Sequence, residues 1–214
     1  MKNVFSKKLF EQMPVIGILR KFKLSQVRDV VPYFEKAGFT TVEVTMDTPE
    51  VDSIIQYLIQ NHPTLNVGAG TICNMQDLSK AIEWGASFIV TPILDEKVIT
   101  SCVDQNIPIF PGVYTPTEIY RATQLGATAV KLFPAASLGP NFIKDILGPL
   151  GQAKILPTGG VNKKNIVDYF IAGAVGVGMG GSLFVSRLIE DRDYEALNAH
   201  FREIVEIVRT CKSN

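Results

Sequence analysis

Leu125-Gly126-Ala127-Thr128-Ala129-Val130-Lys131-Leu132-Phe133-Pro134 reads as a helix end, a glycine and an apolar run of strand length, Ala127 to Pro134, with a lysine in its middle. Buried strands of parallel α/β sheets are near-continuous hydrophobic runs, so a cation inside one is out of place. Held in a low-dielectric site, a lysine loses proton affinity and its amine becomes a nucleophile near neutral pH. The plainer reading is a strand-end lysine whose stem packs while its ammonium reaches water. The rest of the chain decides between the two.

The junction in front of this strand recurs. Ala37-Gly38-Phe39, Trp84-Gly85-Ala86, Leu125-Gly126-Ala127 and Ala172-Gly173-Ala174 place glycines 47, 41 and 47 residues apart. Each closes a helical stretch where only glycine enters the left-handed conformation without the steric cost of a Cβ. Besides the lysine run, strands are expected at 14–19, 41–45, 66–69, 88–90, 108–110, 155–156 and 175–178. Helices are expected at 25–36, 49–60, 75–84, 95–104, 116–124, 140–147 and 162–171. An N-terminal helix over 1–12 and a C-terminal helical region over 183–214 complete the chain. This gives eight strands, each followed by a helix, with the four glycines before the even-numbered strands. Four repeats of two strands and two helices predict an α/β fold, an eight-stranded parallel (β/α)8 TIM barrel, as a single domain over 1–214. The competing open doubly wound sheet wants a glycine-rich phosphate turn after its first strand, and Gly17-Ile18-Leu19-Arg20-Lys21 supplies none.

Composition narrows the function. The 214 residues are 46% hydrophobic with zero formal net charge, ample for a core and without the basic footprint of a nucleic-acid or anionic-membrane partner. No apolar run reaches membrane-spanning length, and residues 1–10 lack the apolar core and cleavage site of a signal peptide. Cys73, Cys102 and Cys211 are odd in number and far apart, which argues against a disulfide framework or a zinc site and fits a reducing cytoplasm. His62 and His200 are expected on the surface, so neither a histidine metal site nor a serine–histidine triad is indicated, and no metal or cofactor is expected.

Active sites of such barrels lie at the C-terminal ends of the strands. Those ends read Arg20, Glu43 with Thr45, Gly70-Thr71, Thr91-Pro92, Pro111-Gly112, Lys131 with Phe133, Thr158-Gly159-Gly160 and Gly180-Gly181-Ser182. They are small, polar or charged where a packed barrel layer prefers bulky branched side chains. Strand alternation turns Val42 and Val44 toward the helices and Glu43 inward, and likewise Val130 and Leu132 outward and Lys131 inward. The second and sixth strands share parity, so the two ionisable groups are expected in one barrel interior. Burying two charges costs several kcal/mol, which a purely structural ion pair seldom recovers. Glycine pairs after the seventh and eighth strands suit phosphate, since the backbone N–H groups can approach an anion there. Amine, carboxylate and phosphate grip together suggest Schiff-base cleavage of a carbon–carbon bond.

Taken in order, Gly68-Ala69-Gly70-Thr71, Pro111-Gly112, Val130-Lys131-Leu132-Phe133-Pro134, Pro157-Thr158-Gly159-Gly160 and Gly180-Gly181-Ser182 resemble the 2-keto-3-deoxy-6-phosphogluconate (KDPG) and 4-hydroxy-2-oxoglutarate (KHG) aldolase family. The likeness runs from about Pro14 to Phe184. It implies a metal-free class I aldolase, usually trimeric, on an eightfold barrel. Lys131 matches the Schiff-base lysine and Glu43 the general acid/base. Thr71 and Pro92 match the pyruvate end, with Phe133 beside the imine. Thr158, Gly159, Gly160, Gly181 and Ser182 match the far end, where substrate phosphate or a distal polar group is held. Asp47 is a departure: familiar members carry there an arginine that pairs with the substrate carboxylate, and Arg20 is the nearest substitute. The expected partner is thus a small 2-keto acid, phosphorylated, with KHG or the 6-phosphogalactonate analogue as alternatives. More distant readings are a phosphosugar epimerase or isomerase using the same two groups, and a non-catalytic phosphate-ligand binder.

Overall fold

All four junction glycines are left-handed, with φ of 111° at Gly38, 91° at Gly85, 90° at Gly126 and 101° at Gly173. The computed structural model describes residues 4–213. Its first half runs α1 (Lys7–Gln12), β1 (Val15–Leu19), α2 (Leu24–Ala37), β2 (Thr41–Thr45), α3 (Val51–Asn61), β3 (Asn66–Gly70), α4 (Met75–Glu83), β4 (Ile89–Val90) and α5 (Glu96–Asp104). There follow β5 (Ile109–Phe110), β6 (Gly112–Val113), α6 (Pro116–Gln124), β7 (Val130–Leu132), a 3-10 turn (Ala135–Ser137) and α7 (Gly139–Leu147). The chain closes with β8 (Ile155–Pro157), α8 (Ile166–Ile171), β9 (Val177–Met179), α9 (Ser186–Glu190) and α10 (Tyr194–Ser213).

Every strand pairing is parallel. One curled sheet has the order β5-β4-β3-β2-β1-β9 and a smaller one the order β6-β7-β8. The first and last strands are therefore neighbours, unlike in an open doubly wound sheet. The sequence predicts eight strands, whereas nine occur among the described residues. The fifth breaks into β5 and β6 at Pro111, which has no N–H to donate to a ladder. Across the two gaps between sheets, Thr128 N–H donates to the Ile109 carbonyl (3.0 Å), and an isolated bridge joins Thr158 to Gly178.

Local chemistry sets the remaining boundaries. The predicted helix 49–60 starts only at Val51 because Glu50 is left-handed (φ 55°). The one at 162–171 starts at Ile166, because Asn162 and Asn165 side chains take the backbone N–H groups of Lys164 and Asn162 into turns. The C-terminal region splits at Arg192 (φ 54°) into α9 and α10. The predicted 1–12 helix shrinks to α1, capped by Ser6, and its first three residues lie outside the described residues.

Alternation along the strands sorts side chains into two cores. Val15, Val42, Val44, Val67, Ile89, Ile109, Val130, Leu132 and Ile155 pack toward the helices. Ile16, Val90, Phe110 and Leu156 instead share an inner cluster with Phe88, Ala129 and Phe10 of α1. Phe5 and Phe10 meet the Phe110 ring at 6.3 and 5.9 Å, so the N-terminal segment seals the end of the inner core opposite the strand C-termini. At the strand C-termini the apolar filling gives way to a cavity.

Candidate active site

Strand parity carries over from the inner core to the strand C-termini. Beyond Ile16 on β1 come Ile18 and Arg20; Glu43 and Thr45 project from β2, and Lys131 and Phe133 from β7 and its exit. Together with Thr71, Pro92, Thr158, Gly159, Gly160, Gly180, Gly181 and Ser182 they line a cavity of about 690 Å³. The residues expected to act in catalysis or substrate binding are thus gathered at one mouth, whereas Gly70, Thr91, Pro111 and Gly112 of the expected strand ends do not line it. Sequence reading missed Ile18, although it shares the parity of Arg20. It also missed Gly178 in β9, Ser186 at the start of α9, and Phe22, Val161, Asn162 and Phe184, which follow the strands in irregular segments and carry no periodic signal.

Glu43 and Lys131 are only 1% and 6% exposed. No ion pair within 4 Å joins them among the described residues, and Glu43 Oε1 has no hydrogen-bond partner there. Burial pushes the Glu43 carboxyl above its ordinary value near 4.5, against the opposing pull of the Lys131 charge. Room for the carboxylate comes from Gly70, where a Cβ would stand 2.5 Å from Glu43 Oε1. The Lys131 ammonium lies 5.1 Å from the centre of the Phe133 ring, whose face favours a cation. Beside them Thr71 holds a left-handed backbone (φ 61°), costly for a β-branched residue and characteristic of binding sites.

Arg20 points into the cavity mouth but is not free. Its Nε and Nη2 both reach Asp47 Oδ2, at 3.0 and 2.9 Å. Partial burial raises the Asp47 carboxyl, but hydrogen bonds from Thr45 and Arg20 hold it below its ordinary value on balance. Asp47 itself does not line the cavity.

At the far end two glycine turns face each other. Gly159 and Gly160 are left-handed (φ 86° and 87°), and a Cβ on Gly160 would meet Ala136 Cβ at 2.5 Å. Backbone N–H groups of Gly160, Val161, Gly181 and Ser182 donate to no backbone carbonyl among the described residues. Thr158 Oγ1 is buried without a partner in the same wall. Unpaired donors and acceptors converging on a cavity are what a polar ligand would satisfy. Ser182 precedes the next helix, α9, by four residues. It sits in a turn closed by the N–H groups of Leu183 and Phe184 on the Gly180 carbonyl, and its Oγ donates to the Val161 carbonyl at 2.6 Å.

The histidines also depart from expectation. His62 is buried, its Nδ1 2.7 Å from Glu35 and its ring edge-on to Tyr57, and half-buried His200 reaches the Ser182 carbonyl at 2.9 Å.

A parallel α/β sheet with an inward amine and an inward acid in a cavity walled by glycine turns fits a class, the lysine-dependent carbon–carbon lyases. The chain belongs to the KDPG and KHG aldolase family, whose pattern it matches over residues 6–200. It is an aldolase. Among similar proteins, the 2-dehydro-3-deoxy-phosphogluconate aldolase of Haemophilus influenzae is 34% identical over 95% of this chain and 98% of that protein. The KHG/KDPG aldolase of Escherichia coli is 32% identical over 90% of this chain and 91% of that one. Of solved structures, native KDPGal superposes with a TM-score of 0.87 at 26% identity, covering 99% of this chain and 100% of that one. KDPG aldolase from Legionella pneumophila, with pyruvate captured as a covalent carbinolamine, gives 0.81 at 26% identity, covering 95% and 96%.

Proposed function

We propose that the protein cleaves a 2-keto-3-deoxy-6-phospho sugar acid, KDPG, into pyruvate and glyceraldehyde 3-phosphate through an imine on Lys131. The observation that carries this reading is a buried amine and a buried acid facing one cavity without pairing to each other. Lys131 Nζ attacks the C2 carbonyl to form a carbinolamine, and Glu43 supplies the proton with which hydroxide leaves as water. Glu43, now ionised, takes the proton of the C4 hydroxyl. The C3–C4 electron pair moves to the imine as the aldehyde departs, leaving an enamine. Protonation at C3 and hydrolysis release pyruvate and restore the amine. A carboxyl raised by burial and opposed by the Lys131 charge suits this alternation, since burial favours its protonated form and the neighbouring cation its ionised one.

Thr71 and Pro92 would line the pyruvate end, with Phe133 packing beside the imine. Arg20 would meet the substrate carboxylate with the N–H groups that Asp47 leaves free. The far-end amides of Gly159, Gly160, Gly180, Gly181 and Ser182, with the Thr158 hydroxyl, would hold the phosphate. In this reading the two sheets are arcs of one eight-stranded barrel, and residues 1–214 act as one unit in the cytoplasm. Exposed Met75, Ile93 and Tyr114 follow β3, β4 and β6, apolar side chains near the strand exits suited to a homotrimer contact.

The test is reduction with borohydride in the presence of pyruvate, followed by peptide mapping. A single stable adduct on Lys131, lost in Lys131→Met, is expected. Ligand binding without any adduct would instead point to an epimerase or a non-catalytic binder. Relative kcat/KM for KDPG, KHG and the galactonate isomer ranks the substrates.

A further inference from the structure

We propose that His200, on α10 outside the cavity, is a positioning residue that fixes the far-end turn Gly180–Ser182 for substrate phosphate. The inference rests on the reading of that turn as the phosphate end.

A carbonyl oxygen only accepts, so the His200 nitrogen facing Ser182, Nε2, carries a proton and donates to it at 2.9 Å. The same peptide unit is tied at its other end, where the Leu183 N–H donates to the Gly180 carbonyl at 2.9 Å. Both ends of the Ser182–Leu183 peptide are therefore held, one within the turn and one from outside. The other restraints on the turn are the Ser182 hydroxyl on the Val161 carbonyl and the Phe184 N–H on the Gly180 carbonyl. Neither fixes the Ser182 carbonyl, and Gly181 has no side chain and nothing within 4 Å of where its Cβ would be. Releasing the outer anchor lets the Gly181 and Ser182 amides rotate away from the cavity. Burial lowers the His200 pKa from 6.5, although the Ser182 carbonyl opposes this, so the ring is neutral at pH 7 while keeping its donor.

The same helix also holds the opposing glycine turn. Glu203, three residues further along α10, forms an ion pair with Lys163, next to Asn162 of the cavity wall. The two turns are joined directly through Ser182 Oγ and the Val161 carbonyl. α10 thus grips both halves of the cradle from behind, and His200 is the grip on the half whose amides face the ligand. Lys131 and Glu43 stand on β7 and β2, so the chemical step does not depend on this contact.

The experiment compares wild type, His200→Ala, His200→Asn and His200→Gln with KDPG and with unphosphorylated KHG. His200→Ala is expected to raise KM for KDPG about five- to ten-fold, the loss of one hydrogen bond's worth of positioning, with kcat nearly unchanged. KM for KHG should stay put. Glutamine, whose amide nitrogen extends as far as Nε2, should restore most of the loss, whereas asparagine should not. Melting temperatures confirm that the variants are folded, and the asparagine variant replaces alanine if that one is not. Equal KM changes for both substrates, a fall in kcat at fixed KM, or no rescue by glutamine would overturn the assignment. A wild type indifferent to the phosphate would overturn the phosphate reading itself, and the inference with it.

Discussion

Glu43 is the residue on which the chemistry and the stability of this fold meet. Its carboxyl is buried, lacks a partner on Oε1 and is raised above 4.5. For an acid, a folded pKa above the unfolded one means that the fold favours the protonated form. Its contribution is most favourable below about pH 4.5 and is lost as pH rises through the raised value. Glu43→Gln, which cannot ionise, should therefore match wild type in melting temperature at the acidic end and exceed it at pH 8. The same variant should abolish turnover, and the acidic limb of the wild-type kcat profile should lie above the ordinary carboxylate range. Melting curves across pH and a pH–rate profile check both; a constant difference in melting temperature would remove the burial argument. Arg20 and Asp47 contrast with this. They are 58% and 34% exposed, and such a pair adds less than about 1 kcal/mol to stability. The pair's consequence lies in what Arg20 can offer a ligand.

At the scale of elements, the break between β5 and β6 shows where sequence reading stops. Pro111 was visible, and so was the following glycine, but the need for that glycine was not. A Cβ on Gly112 would stand 2.2 Å from the Pro92 carbonyl carbon, a backbone atom that no rotamer change can move. Gly112→Ala should lower unfolding free energy by at least about 1–3 kcal/mol, the usual cost of overpacking, as read from urea denaturation. Gly126→Ala, which only strains a left-handed cap at φ 90° with ordinary contacts at 3.4 Å, should cost about 1 kcal/mol. If the two variants cost the same, the close approach of β6 to the turn after β4 is not limiting. The cap glycines were legible because their reason is local to three residues. Gly112 was not, because its neighbour is 20 positions away in sequence and adjacent only through the sheet.

For the whole molecule, exposed Met75, Ile93 and Tyr114 after β3, β4 and β6 predict assembly. Light scattering should give the mass of three chains for wild type, and Tyr114→Glu should shift it toward the monomer by placing a charge in the contact; a monomeric wild type would remove the trimer. The sequence by itself determined the order of strands and helices, the inward parity of Glu43 and Lys131 and the gathering of polar residues at strand ends. Periodicity and cap chemistry act over a few residues and are written in the chain. Only the tertiary structure decided that Asp47 holds Arg20, that Ser182 sits in a turn tied to Val161, and that His200 reaches that turn from α10. Those contacts join positions 27, 21 and 18 residues apart, each with at least one end in an irregular segment whose direction no repeat encodes. They exist because curling the sheet brings the strand exits together and lays the last helix against two of them.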